Sequence, residues 1–287
     1  MVIVSVSRRC DIPRFQFGWF LQRLEAGYVD VANPFNAAQI KRVSLKPEDV
    51  DFLVFWTRDP RPLLAEPEKP GDCYTMITLT GYPEILEPNA PPREETMRAL
   101  RALAALWGRK RVIWRYDPIF LSSLTDAEFH RRNFADLAGQ LAGAIDRVII
   151  SVYDEYAGAR WRLSALEKNG QCQTFPHYTD DGLLAPEAKE LVAELARIAT
   201  RAGMDIRSCA EGEECASLGI QPGACIDGAL IAELLGSGKS LPDIAGRDKN
   251  QRHRCRCAPS VDIGSYGDCP AACVYCYARR SFKKCEK

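Results

Sequence analysis

Short apolar runs rich in β-branched and aromatic residues alternate with amphipathic helical stretches along almost the whole of this 287-residue chain. The runs Val2–Ser7, Asp51–Thr57, Tyr74–Thr80, Arg111–Tyr116, Arg147–Tyr153, Asp205–Cys209 and Val261–Tyr266 read as strands. Between them, Arg14–Ala26, Arg93–Trp107, Asp126–Ala144, Ala157–Lys168, Pro186–Ala202 and Ile226–Leu235 read as helices. Such alternation predicts βα units around a parallel sheet, hence an α/β fold. Seven candidate strands point to a (β/α) barrel or partial barrel more than to an open sheet. One barrel-like domain is expected over residues 1–287, with 205–287 as its cysteine-rich, metal-cluster portion. The Pro-rich segments Pro60–Pro70 and Pro83–Pro92 read as surface connections, and the five tryptophans, in apolar runs or on helical faces, as core.

Formal charge balances at 38 basic against 38 acidic residues, so no overall attraction to nucleic acid or membrane surfaces is expected. The basic tail Arg279–Lys284 reads as a solvated terminus. Met1–Val6 is too short for a signal-peptide core, and no apolar stretch approaches a membrane span, so the expected compartment is the cytoplasm. There, twelve cysteines argue for metal or redox use rather than a disulfide scaffold. Nine of them lie between Cys209 and Cys285.

Three of those nine form Cys269-Pro-Ala-Ala-Cys273-Val-Tyr-Cys276, a C-x3-C-x2-C spacing. It suits three thiolates on three irons of a 4Fe-4S cube. The fourth iron would stay without a protein ligand, whereas ferredoxin-type sites supply four cysteines. The competing reading is zinc, which wants four N/S ligands and could take Cys285 as the fourth. His130, His177 and His253 are the only histidines on offer.

Cys209, Cys225, Cys255 and Cys257 form a second candidate set. Cys209 ends a predicted strand, Cys225 opens a predicted helix whose N-terminus would favour a thiolate, and Cys255-Arg-Cys257 precedes the terminal strand. Four thiolates match an auxiliary 4Fe-4S cluster, or a structural zinc equally well. Cys215 could replace one of them, while Cys10, Cys73 and Cys172 read as packing or surface thiols, Cys10 standing at the end of the first strand.

Several apolar runs end in charged or polar residues: Arg8, Arg58, Arg115 with Asp117, Tyr153, and Glu211. In βα barrels the C-terminal strand ends form the active-site face, so these side chains would surround one mouth. Taken singly each is also ordinary punctuation, since Asp59-Pro60 and Asp117-Pro118 are good turn starters. Arg8, Arg115, Asp117 and Glu211 are the catalytic candidates, with Arg8 and Arg115 suited to anionic groups because a guanidinium fork matches a carboxylate. Tyr275, Arg58 and Tyr153 are the cofactor-binding candidates.

The three-cysteine motif, with Tyr275 before its last cysteine, resembles the signature of radical S-adenosylmethionine (SAM) enzymes, and Tyr275–Arg279 looks most like their spore-photoproduct-lyase branch. From Ser7-Arg8-Arg9 and Asp11 to Cys273-Val-Tyr-Cys276-Tyr-Ala, the chain resembles a bacterial and archaeal family with a radical-SAM-like cluster at its C-terminus. The usual motif follows the first strand, so the resemblance implies a permuted barrel whose last strand takes the place of the first. It further implies an open-iron 4Fe-4S cluster, SAM, and an electron donor such as flavodoxin or ferredoxin. The Gly-Gly-Glu motif for the SAM amine is absent, and Ala210-Glu211-Gly212-Glu213 is its nearest echo. The first expectation is hydrogen abstraction from a small molecule such as a nucleoside or sugar, with the auxiliary cluster serving electron transfer or sulfur insertion. The alternatives are a nucleic-acid repair lyase and a non-enzymatic iron–sulfur or zinc protein.

Overall fold

A computed structural model describes residues 2–66, 68, 70–236, 246–267 and 269–279. Its strands are β1 (Ile3–Val6), β2 (Tyr28–Asn33), β3 (Asn36–Ser44), β4 (Phe52–Thr57), β5 (Cys73–Thr78), β6 (Val112–Ile119), β7 (Arg147–Val152), β8 (Asp205–Cys209), β9 (Gln221–Gly223) and β10 (Val261–Asp262). Its helices are α1 (Ile12–Phe15), α2 (Phe17–Ala26), α3 (Arg61–Ala65), α4 (Arg93–Trp107), α5 (Ala127–Leu141), α6 (Ala157–Lys168), α7 (Pro186–Arg201), α8 (Glu214–Ser217) and α9 (Gly228–Leu235).

Eight strands form one sheet in the order β10-β1-β4-β5-β6-β7-β8-β9, and every pairing is parallel. All seven predicted strands belong to it, so the expected α/β fold with a parallel sheet is present. The last strand lies beside the first, with Val4 opposite Val261 and Ser5 opposite Asp262.

The period of two along each strand sorts side chains onto two faces. Leu53, Phe55, Ile77, Val112, Trp114, Val148 and Ile150 join the core built with α4, α5 and α7. Phe52, Val54, Trp56, Tyr74, Met76, Ile113 and Ile149 pack on the other face against Ile226, Leu230 and Ile231 from α9 and its approach. On that second face the next positions toward the C-terminal strand ends are Arg58, Thr78, Arg115 and Ser151. An apolar floor thus carries a polar layer above it.

Four readings are corrected. The hairpin β2–β3 was not anticipated; most of β3 is exposed, so its residues show no buried alternation to read. The Pro60–Pro70 segment contains α3, started by Pro62 near its N-terminus. Asp227 caps α9 by accepting from the backbone N–H groups of Ala229 and Leu230, so Cys225 lies ahead of the helix and does not open it. Trp56, Trp107 and Trp114 are core, but Trp19 (37% exposed) and Trp161 (60%) stand on the outer faces of α2 and α6.

Candidate functional site

The C-terminal ends of all eight strands of the sheet border one cavity of about 470 Å³. Ser7 enters from β1, Arg58 from β4, Thr78 from β5 and Arg115 with Asp117 from β6. Ser151 enters from β7, Cys209 from β8, Cys225 from β9 and Asp262 from β10. Both cysteine sets line this one cavity: Cys269, Cys273 and Cys276, and Cys209, Cys225, Cys255 and Cys257.

The triplet rides on a loop tied down at many points. Val274 N–H donates to Leu86 O at 2.9 Å, Asn89 Nδ2 to Pro270 O at 2.7 Å and Arg162 Nε to Val274 O at 2.8 Å. Ala272, in the left-handed region at φ 57°, turns the chain between Cys269 and Cys273. Tyr275 points away from solvent (6% exposed) and packs on Tyr82 and Phe120. Its hydroxyl receives Arg58 Nη2 at 2.6 Å and donates to Glu87, which is also paired with Arg58 at 2.9 Å and bound by Thr80. Burial would lower the Arg58 guanidinium, but Cys273, Glu87 and Tyr275 hold it well above its ordinary value. The same burial pushes the Cys273 thiol up to about 11, while Arg58 pulls in the opposite direction. Arg58 is therefore the charge that favours a thiolate at Cys273.

The second set lines the same cavity beside the ends of β8 and β9. Cys209 Sγ lies 3.2 Å from Cys225 Sγ. Backbone N–H groups of Ile226 and Cys257 donate to Cys257 Sγ at 3.4 Å and Cys255 Sγ at 3.5 Å. Tyr74, rising from β5, holds the Cys225 segment through its hydroxyl: it donates to Cys225 O and accepts from Asp227 N. The contact with Cys225 and burial raise the Cys209 thiol, and Arg115 and Arg252 act against them. Cys225 is likewise raised: the contact with Cys209 lowers it, but Cys257 and burial outweigh that contact and the pull of Arg115. Cys255 alone of the four is lowered, by its contacts with Cys257. Among the described residues, no three His, Cys, Asp or Glu side chains converge as a single metal ion requires.

The family model for the domain of unknown function DUF1848 matches residues 3–278. The chain belongs to the DUF1848 family. No curated protein matches it. Among solved structures it is similar to a D-hydantoinase from Bacillus sp. AR9, at 9% identity and TM-score 0.31, and to two further D-hydantoinase structures at 11% and 8% identity with TM-scores of 0.33 and 0.31. Each likeness covers 59% of this chain and 36% of the other, so the chain spans about a third of their length. Such loose superpositions carry no argument about the activity of this DUF1848 chain.

Of the residues singled out in the sequence, Arg8, Arg58, Arg115, Asp117, Tyr153, Tyr275 and all seven cysteines line the cavity. Glu211 does not. Its carboxylate accepts from Val152 N–H at 2.9 Å and from the Tyr178 hydroxyl at 2.8 Å, which fixes the end of β7 from behind. Cys215 is buried in the main core and is no substitute ligand, and Cys73 and Cys172 are buried packing residues. Cys10, by contrast, lines the cavity. Cys285 and Arg280–Lys284 lie outside the described residues. No histidine lines the cavity among the described residues: His130 and His177 are buried elsewhere and His253 is exposed.

In the DUF1848 fold two carboxylates do work that the sequence reading missed. Asp262 Oδ1 accepts from Ser7 Oγ (2.7 Å) and Gly264 N (3.0 Å), and Oδ2 from Ser5 Oγ (2.5 Å) and Arg8 N (2.8 Å). It thereby fixes the loop that brings Arg8, Arg9 and Cys10 to the cavity. A charged residue inside the apolar run Val261-Asp262-Ile263 was the available signal. Glu87, in a Pro-rich loop, gave none.

Proposed function

We propose that this protein is a radical SAM enzyme acting on a small molecule. Cys269, Cys273 and Cys276 would hold a 4Fe-4S cluster with one open iron, and Cys209, Cys225, Cys255 and Cys257 an auxiliary cluster. The observation that carries this reading is the arrival of both cysteine sets at a single cavity at the C-terminal strand ends. The parallel sheet with β10 beside β1 fits a permuted, partial barrel in which the motif follows the strand next to the first. The donor chemistry fits too. All donors in both sets are thiols, backbone N–H groups already point at two sulfurs, and guanidinium groups stand by to offset thiolate charge.

When bound, the open cluster supplies an electron for reductive cleavage of SAM and hence a radical able to take hydrogen from substrate. The chain's own residues bind, orient and exclude water. Tyr275, Arg58 and Glu87 clamp the triplet's loop, so the three thiols are held before any ligand arrives. Arg115 and Arg252 oppose the charge of the second set. Aromatic side chains of Trp56, Tyr153 and Tyr275 form part of the cavity wall. A cavity of about 470 Å³ suits a small molecule rather than a duplex. A flavodoxin or ferredoxin would deliver the electron.

The test is iron and sulfide content of anaerobically purified protein, with EPR of the reduced sample before and after SAM. Wild type should carry about eight irons, and the Cys269/Cys273/Cys276 triple alanine about four. Only wild type should show a SAM-dependent spectral change. Zinc in place of iron, or a spectrum indifferent to SAM, would sink the enzyme reading.

A further inference from the structure

Three arginines on the cavity wall are matched one to one by a carboxylate: Arg58 by Glu87, Arg115 by Asp117 and Arg252 by Asp154. Asp11, a further lining carboxylate, caps α1 and has Arg14 beside it. The group where β1 meets β10 breaks this pattern. Arg8 and Arg9 share one carboxylate, Asp262, at 3.8 and 3.7 Å. Those distances are too long for hydrogen bonds. The Asp262 oxygens are already taken by the Ser5 and Ser7 hydroxyls and by the N–H groups of Arg8 and Gly264. One positive charge is left over.

That charge is within reach of a ligand. Both arginines line the cavity, and their side chains keep 16% and 20% of their surface accessible. Arg8 Nη2 donates to Ser260 Oγ at 3.2 Å and Arg9 Nη1 to Gly264 O at 3.1 Å. The other terminal nitrogens, Arg8 Nη1 and Arg9 Nη2, bond to no described residue and are not sealed from solvent. Each guanidinium also lies over an aromatic ring of the cavity wall. Arg8 Cζ is 5.9 Å from the Trp56 ring centre, and Arg9 Cζ 5.2 Å from that of Tyr266. Stacking holds a guanidinium by its face and leaves its edge, which carries the N–H groups, for an anion. The β1 loop borders both thiol sets: Arg8 is in electrostatic reach of Cys257 and Cys225, and Cys10 of Cys269.

We propose that Arg8 and Arg9 form an anion subsite of the cavity and that it receives the carboxylate of a small-molecule substrate. The carboxylate accepts one N–H from each guanidinium, and its single charge cancels the single surplus cation. A dianion such as a phosphate monoester would leave one charge unmatched. The inference rests on the small-molecule reading above, and it adds the charge class of the substrate and the strand ends at which it is held.

The test is calorimetric titration of the full chain, with and without reconstituted iron. The probes are acetate with acetamide, benzoate with benzamide, and phenyl phosphate. At least one carboxylate should bind about tenfold or more tightly than its amide, the usual value of one charge-assisted bond, and benzoate should outbind phenyl phosphate. Arg8→Gln and Arg9→Gln should each erase most of the preference for carboxylate over amide. Arg132→Gln removes the same charge from an exposed position on α5 and should leave the preference intact. If neither carboxylate outbinds its amide, if phenyl phosphate outbinds benzoate, or if the preference survives both Gln substitutions, the subsite is overturned. Competitive displacement of benzoate by SAM would overturn the assignment to substrate. The expected preference in protein that takes up no iron would keep the subsite and overturn the radical SAM reading. Iron with a SAM-dependent EPR change but no such preference would do the reverse.

Discussion

Arg58 Nη2 lies 2.6 Å from the Tyr275 hydroxyl and 2.9 Å from Glu87 Oε1, joining the end of β4 to the cysteine loop 217 residues later. The Glu87 side chain is almost wholly buried, and Arg58 is its ion-pair partner. Arg58→Met is expected to lower stability by about 3–5 kcal/mol because it strands a buried carboxylate. The double variant Arg58→Met/Glu87→Met should recover most of that loss. Urea denaturation of the two variants and wild type checks it; equal losses in both variants would count against the pair.

Asp262 holds four hydrogen-bond donors at once, and an amide cannot. In Asp262→Asn one carboxylate oxygen becomes an NH2 group, which must face Ser5 Oγ and Arg8 N–H or else Ser7 Oγ and Gly264 N–H. A stability loss of about 2–4 kcal/mol follows from two charge-assisted bonds removed. Gly264→Ala should damage the same junction by packing alone. Its Cβ would come 2.5 Å from Ser7 Cβ and 2.9 Å from Cys10 Sγ, a clash of about 1–3 kcal/mol. Chemical denaturation measures both.

How much of this was legible beforehand follows from what each signal depends on. The seven predicted strands and the helices α4 and α6 could be read because burial on both sheet faces leaves uninterrupted apolar runs, and amphipathic helices repeat every three to four residues. Strand β9 is three residues, Gln221–Gly223, too short for any period. The meeting of two distant cysteine sets was legible only as a ligand count. That Glu211 turns its back on the cavity was not legible at all, since it depends on where Tyr178 sits, 33 residues away.

Acid should destabilise the protein through His177. Its Nε2 accepts from Leu121 N–H at 2.7 Å, and a backbone N–H can only donate, so the ring must be neutral there. Burial, with His130 nearby, lowers its pKa to about 4. A histidine depressed in the fold contributes stability that is present above pH 6.5 and is lost as pH falls toward 4. The loss from this one group is about 3 kcal/mol at pH 4. His177→Gln, whose amide oxygen can still accept, should flatten that limb of the stability profile. Denaturation at pH 7, 5.5 and 4 compares the two; parallel profiles would exclude His177 as the source.

Cysteine substitutions should divide by location. Cys225→Ala is expected to lose about half the bound iron, whereas Cys215→Ala, ten residues away in the main core, should keep all of it while losing about 1–2 kcal/mol of stability from the small cavity left. Iron content and urea denaturation of both variants decide the matter. Equal iron loss in the two would mean that the second site has been drawn with the wrong cysteines.

The pairing of β1 with β10 has a consequence for biosynthesis. Ser5 and Asp262 are 257 residues apart, so the first strand leaves the ribosome with one of its two neighbours still unmade. Contacts so remote in sequence form late, after the entropy of closing nearly the whole chain has been overcome. Until then the loop carrying Arg8 and Cys10 lacks its Asp262 anchor, and the cysteines of the last quarter are not yet enclosed. Assembly of the cavity thus waits on the synthesis of β10. The nascent chain passes through an interval in which its thiols are open to whatever the cell offers first, be it iron, zinc or oxidant.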